Sequence, residues 1–298
     1  MTRPATPPAT ILELMPATRG RAASITPLSG GMTNHNYRVD VQDAAGSRDS
    51  YVLRLTGADP GSLGIDRLSE IACSQAAALA GLGPELVEFL PEHGALLRRF
   101  VPGRVLSPDD IRQPSVLERL VPALRRYHEG PPGAGRFDVF STIRSYHAQA
   151  MACGIVFPNS MGDALEELVR LEVQRPGNDA PCPCHNDLLA ANVIDSPNGL
   201  RVIDWEYAGM GDRFFDLGNL AVNNGFTPED ERRLLELYFL QAEDRDLRRL
   251  RRMRLASDLR ESLWGFLQAG LGAGTVDYHA YGCRHLERFL QGLGRAEG

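Results

Sequence analysis

Along residues 1–100 apolar and polar positions mostly alternate, and beyond them apolar positions recur at helical spacing. The stretch 23–29 runs into Gly30-Gly31. Asn36-Tyr37-Arg38-Val39-Asp40-Val41 alternates, Ala44-Ala45-Gly46-Ser47 reads as a turn, and Tyr51-Val52-Leu53-Arg54-Leu55 alternates again. This pattern predicts an antiparallel meander with glycine in its first turn. Asp66 is placed to cap a helix running to about Ala80, with Leu68, Ile71, Ala72, Gln75 and Leu79 on one face. Gly81, Gly83 and Pro84 stop it. Segments 86–89 and 95–100, joined by Pro91-Glu92-His93-Gly94, predict a further hairpin, and Val101-Pro102-Gly103-Arg104 reads as a linker.

The remainder reads as helices over 115–129, 141–153 and 161–174, separated by PPGAG and PGNDAP breaks. A hairpin of 192–195 and 200–204 interrupts them, turning at Ser196-Pro197-Asn198-Gly199. Thr227-Pro228-Glu229-Asp230 opens another helix, with a capping hydroxyl, proline at the first position and acids in the first turn. Helices over 246–271 and 277–290 complete the chain. The expected fold class is α+β: a β-rich portion with one helix over 1–100, then a mainly helical portion over 101–298.

Composition narrows the chemistry. Hydrophobic residues make up 43% of the 298 and charged residues 23%, as expected of a packed globular chain. A net charge of -6 argues against a partner bound through phosphate neutralisation, so nucleic acid is not expected. The arginine run in 245–254 reads as a solvated helix face. No apolar run is long enough to span a membrane, and the N-terminal stretch is too interrupted for a signal segment. The expected compartment is the cytoplasm, with reduced thiols. Among Cys73, Cys153, Cys182, Cys184 and Cys283 only one CxC pair is close, and the second half of a zinc site is missing. Nothing in the pattern sets an oligomeric state. The chain contains no lysine, so any lysine role must be filled by arginine.

The chemistry concentrates in Cys184-His185-Asn186-Asp187-Leu188-Leu189-Ala190-Ala191-Asn192 and in Val202-Ile203-Asp204-Trp205-Glu206. The predicted hairpin brings Asn192 and Asp204 together, with Asp187 just ahead. An amide oxygen and a carboxylate so placed suit a hard cation such as Mg²⁺. A second carboxylate can take a proton from an attacking hydroxyl. Phosphoryl transfer needs both.

These motifs resemble the choline kinase and aminoglycoside phosphotransferase superfamily, and within it the bacterial choline/ethanolamine kinase-like group. The matching pieces are LSGGMTNHNYRV (28–39), YVLRL (51–55), GIDRLSE (64–70), GLGPELVEF (81–89), CHNDLLAANVI (184–194), VIDWEYAGMGDRFFDLGNLA (202–221) and LWGFLQAG (263–270). The resemblance implies a two-lobed protein-kinase-like fold with ATP in the cleft and Mg²⁺ beside it. It implies Asp187 as base, Asn192 and Asp204 as magnesium ligands, and Ser29, Gly30, Gly31, Thr33 and Asn34 as the nucleotide loop. Arg54 would reach the α/β-phosphates, where the general kinase pattern has lysine, and Glu70 would be its partner. Residues 97–100 would offer backbone hydrogen bonds to adenine, and His185 and Asp216 would brace the catalytic loop.

The acceptor implied is a small hydroxyl compound, cationic, choline or a related amino-alcohol. Trp264 and Tyr278 resemble cage aromatics, and Tyr207, after Glu206, could add a ring edge. Glu261 stands where choline kinases tend to carry an aromatic, and its carboxylate would suit a cation. Thiamine, a sugar or an aminoglycoside are alternative acceptors, and a nucleotide-binding module without catalysis is the alternative of another class.

Overall fold

Residues 6–28, 34–43, 46–56, 63–174, 180–272 and 276–296 are described by the structure, a computed structural model. The alternating segments form strands β1 (Ala22–Pro27), β2 (Asn34–Gln42) and β3 (Arg48–Thr56), followed later by β4 (Leu86–Leu90) and β5 (Ala95–Arg99). They make one antiparallel sheet in the order β1-β2-β3-β5-β4. Val39, Val41, Leu53 and Leu97 alternate onto one face and bury it. A helix the sequence reading did not anticipate, α1 (Pro8–Leu14), covers that face with Ile11 and Leu12, and Met15 follows it in. Its proline-rich start masked the helical period.

The other face carries Arg54 and Arg98, and α2 (Arg67–Leu79) sits against it. The face that groups Leu68 and Leu79 is not the one α2 buries. Leu68 and Leu79 are 72% and 91% exposed, whereas Ser69, Glu70, Cys73, Ser74 and Ala77 are buried. Two guanidiniums under the helix require a buried carboxylate, and leaving them unpaired costs more than exposing two leucines. Asp66 caps α2 as expected, accepting from the N–H groups of Leu68 and Ser69.

The expected linker is partly a strand. β6 (Arg104–Val105) pairs with β8 (Val193–Ser196), which pairs with β9 (Gly199–Val202). Gly103 passes so close to β8 that a Cβ would stand 2.4 Å from the Asp195 carbonyl oxygen. A second ribbon, β7 (Cys182–Cys184) with β10 (Gly209–Gly211), was also not anticipated; three residues per strand leave no alternation to read.

The helical portion comprises α3 (Pro108–Ile111), α4 (Pro114–His128), α5 (Val139–Ala152), α6 (Met161–Val173), α7 (Arg213–Asn223), α8 (Pro228–Phe239), α9 (Asp244–Gly270) and α10 (Tyr278–Ala296). The expected helices are present within a few residues at each end. α9 is the axis, with α5, α7 and α10 packed on it, so Met253 and residues 255–268 are buried all round. Gly265 lets α10 approach: a Cβ there would lie 2.9 Å from the Gly282 nitrogen. The arginines opening α9 are less solvated than expected. Arg249 stacks on Phe214 at 4.0 Å, and Arg251 and Arg254 both pair with the buried Glu231.

Candidate active site

The loop between β7 and β8 carries the expected chemistry and is held from several sides. The buried Asp216 of α7 accepts from the backbone N–H groups of His185 (2.7 Å) and Asn186 (2.6 Å). His128 is bonded to the same carboxylate at 3.0 Å, and its other ring nitrogen to the Tyr238 hydroxyl at 2.7 Å. The ligating atoms of His128, Cys184 and Asp216 lie within 4.8 Å of one another, but these bonds already commit the imidazole and the carboxylate. The loop thiols Cys182 and Cys184 lie 3.6 Å apart. His185 donates from Nε2 to the Ile203 carbonyl (2.9 Å) and accepts at Nδ1 from the Asp187 N–H (3.1 Å). Burial lowers its pKa to about 4, which matches a neutral ring in that bonding pattern. His185 and Asp216 thus brace the loop, as the resemblance implied.

Two residues here hold left-handed backbone without being glycine: Asn186 (φ 66°) and Asp204 (φ 65°). Such strain persists where surroundings over-determine it. The Asn186 amide donates to the Tyr207 carbonyl at 2.9 Å, tying the loop to the segment after β9. Asn219 accepts from the Leu188 N–H at 2.5 Å. Asn192 donates to the Asp187 carbonyl (2.9 Å) and carboxylate (3.2 Å), which turns its amide oxygen away from Asp187. The Ile203 N–H donates to the Asn192 carbonyl at 2.8 Å, holding Asn192 against the strand end that carries Asp204.

Burial pushes the Asp187 carboxyl up to about 7; Arg260 pulls the other way, while Glu261, Asp204 and Glu206 add to the rise. Burial, then Glu206, raises Asp204 to about 7 as well, against the pull of Arg54 and Arg98. Crowded carboxyls that resist ionisation are short of positive charge, and their donor set is oxygen only. Asp204 and Asn192 therefore fit a hard divalent cation such as Mg²⁺.

On the sheet side Glu70 is fully buried beneath three arginines. It chelates Arg54 through both carboxylate oxygens, one contact at 2.8 Å, and accepts from Arg98 at 2.7 Å and Arg67 at 2.8 Å. Burial alone would raise its pKa; Arg54 first, then Arg98 and Arg67, hold it down at about 2. Glu206 accepts from the Asn34 amide at 2.9 Å, and Arg67 lies 3.4 Å from the same oxygen. The Nε atoms of Arg54, Arg67 and Arg98 are buried and have no hydrogen-bond partner. Donors of that kind suit anionic oxygens of a ligand.

Toward α9 and α10, Arg260 lies 2.5 Å from Glu261 and 3.4 Å from Asp187. The Tyr281 hydroxyl donates to the other Glu261 oxygen at 2.7 Å. Trp264 donates from Nε1 to the Tyr207 hydroxyl at 3.1 Å, and its ring meets Tyr278 edge-on at 5.6 Å.

The structure thus brings together Asp187, Asn192, Asp204 and Glu206, with Asn34, Arg54 and Glu70 on the sheet side and Tyr207, Glu261, Trp264 and Tyr278 on the helical side. Ser29, Gly30, Gly31 and Thr33 lie outside the described residues. Two expectations need correction. The N–H groups of Arg99 and Phe100 are already bonded to Glu85 and Ser50, so a base cannot use them. Glu261 is not an isolated carboxylate, because its charge is already paired with Arg260 and its other oxygen accepts from Tyr281. Sequence reasoning missed Arg67, Arg98, Arg260, Asn219 and Tyr281. The arginine in LLRRF and the Arg-Glu pair before LWGF were legible as charges beside apolar runs, a signal that those charges are buried and paired.

A β-sheet and a helical body meeting at a cleft of arginines on one side and crowded carboxyls on the other define a small-molecule kinase of the protein-kinase-like fold. The family model for choline/ethanolamine kinase matches residues 25–232, and the chain belongs to that family. It is 26% identical to probable choline kinase 3 of Arabidopsis thaliana over 89% of this chain and 85% of that one. Among solved structures it is similar to a choline/ethanolamine kinase family protein from Mesorhizobium loti, with 27% identity, a TM-score of 0.81, and 95% and 92% of the two chains covered. LicA in complex with AMP shares the fold, at 24% identity, a TM-score of 0.77, and 97% and 96% covered.

Proposed function

We propose that this kinase moves the γ-phosphate of ATP to the hydroxyl of a small amino-alcohol of the choline and ethanolamine class. The observation that carries this reading is the placement of Asp187 beside Asn192 and Asp204, opposite the Arg54–Glu70 pair. Its family relatives named for choline and ethanolamine support the acceptor class, and the AMP complex of LicA supports the nucleotide.

In this reading Arg54 and Arg98 face the phosphates from the sheet, with Glu70 fixing their planes. Asp204 and Asn192 would hold Mg²⁺, which when bound neutralises phosphate charge and favours ionised carboxylates around it. Asp187 orients the acceptor hydroxyl and takes its proton as the new O–P bond forms. The bond from the γ-phosphorus to the bridging oxygen breaks, and ADP leaves with that electron pair. Neutral His185 and the Asp216 carboxylate keep the loop in this geometry.

The test is an acceptor screen read by ATP consumption, across choline, ethanolamine, thiamine, sugars and aminoglycosides. Consumption with amino-alcohols is expected; consumption only with sugars or aminoglycosides would overturn the acceptor class. Asp187→Asn should lower kcat by about 10²–10⁴-fold, with ATP affinity barely changed. Equal rates in the two proteins would remove Asp187 from the role of base.

A further inference from the structure

One of the rings expected to receive an acceptor's cation already holds a cation of the chain itself. The Arg260 guanidinium carbon stands 4.4 Å from the centre of the Tyr207 ring, within cation–π range, and Arg260 is 1% exposed. The charge of the carboxylate beside it is already met within the chain, Arg260 pairing with one Glu261 oxygen and the Tyr281 hydroxyl donating to the other. The remaining rings close on one another. Trp264 lies 5.6 Å from Tyr278 and 5.8 Å from Tyr281, both edge-on. Trp264 and Tyr278 are 6% and 5% exposed, so little of either ring face is open to a ligand.

We propose that Arg260 determines acceptor specificity: its guanidinium is a built-in cation that occupies the Tyr207 face of the aromatic cluster and turns the enzyme away from quaternary ammonium acceptors. This rests on the kinase reading above. What remains open near Tyr207 mixes apolar walls from Leu63, Phe137 and Ala208 with polar ones. A cavity of about 410 Å³ is lined by Glu206, Tyr207, Tyr146, Ser69, Ser141 and Ser145 among others. Such walls reward N–H and O–H donors, and a tetraalkylammonium has no hydrogen to donate. The Arg260–Glu261 pair is also internally neutral, so it supplies no net charge to attract a ligand that cannot hydrogen-bond.

The test has a binding arm and a rate arm. Calorimetry with tetramethylammonium chloride should show no saturable binding to the wild-type protein. Initial rates should give a kcat/KM at least about tenfold higher for ethanolamine than for choline, a factor in line with one cation–π contact. The double variant Arg260→Leu/Glu261→Gln removes both charges and so leaves no buried carboxylate alone. It should gain tetramethylammonium binding and shift the acceptor ratio toward choline by about tenfold, at a lower overall rate because Arg260 touches Asp187. Saturable tetramethylammonium binding by the wild-type protein overturns the proposal, and so does an unchanged ratio in a folded variant. If the variant does not fold, the wild-type arms still decide. Failure of every amino-alcohol to be phosphorylated, with tetramethylammonium binding absent in wild type and gained in the variant, would overturn the amino-alcohol reading while supporting Arg260 as the cation held at Tyr207.

Discussion

At the scale of single residues, the site is governed by which charges are buried together. Arg54 offers two terminal nitrogens to the two oxygens of Glu70, and a lysine has only one nitrogen to give. Arg54→Lys should therefore keep some nucleotide binding and lose on the order of 100-fold in kcat, the usual consequence of a misplaced phosphate contact. Unchanged steady-state kinetics would show that Arg54 does not meet the nucleotide. Charge also explains the absence of lysine from the cleft in physical terms: three arginines share one buried carboxylate, which planar multi-donor guanidiniums can do and compact ammoniums do poorly.

At the scale of elements, α2 shows how a site overrides a pattern. Its leucines point to water because its polar face is needed over Arg54 and Arg98. Leu79→Ser should change stability by no more than about 0.5 kcal/mol, since Leu79 is almost fully exposed. Ala77→Leu, at a buried position whose Cβ lies 3.0 Å from the place a Gly83 Cβ would take, should cost about 1–3 kcal/mol. Chemical denaturation of both variants checks this, and the reverse order would mean that α2 lies on its leucine face. The catalytic loop is an element of the other sort. Its strands are short, yet its geometry is over-determined by Asp216, Asn219, Asn186 and His185, four polar residues the HND and DLGN stretches supply from the sequence itself.

At the scale of the whole molecule, sheet and helices converge to half-bury Asp187 and Asp204 beside the buried Glu206. Their folded pKa values of about 7 exceed the ordinary value of 3.8, so between those limits the folded state binds more protons than the unfolded one. Their contribution to stability therefore falls as pH rises toward 7. His185, lowered to about 4 from 6.5, contributes in the opposite direction over that window. The difference between Mg²⁺-loaded and Mg²⁺-free protein isolates the carboxyls. Mg²⁺ should raise Tm by more at about pH 8 than at about pH 5, because the ion meets ionised ligands only at the higher pH. An equal shift at both values would place the ion elsewhere.

Much of this was legible in the residues. Alternation set the meander, helical spacing set the long helices, and the polar positions around the second hairpin marked Asp187, Asn192 and Asp204, because those signals are local and periodic. Strands β6, β7 and β10 were not legible, since two or three residues carry no period. The inward face of α2 and the pairing of Arg260 with Glu261 against Tyr207 were decided only by tertiary structure. A buried charge is stable only beside its partner, and partners brought from other elements are invisible to any window of sequence. The sequence by itself determined which charged side chains this chain carries; folding decided that Arg54, Arg67 and Arg98 gather on Glu70 while Arg260 pairs with Glu261 against Tyr207.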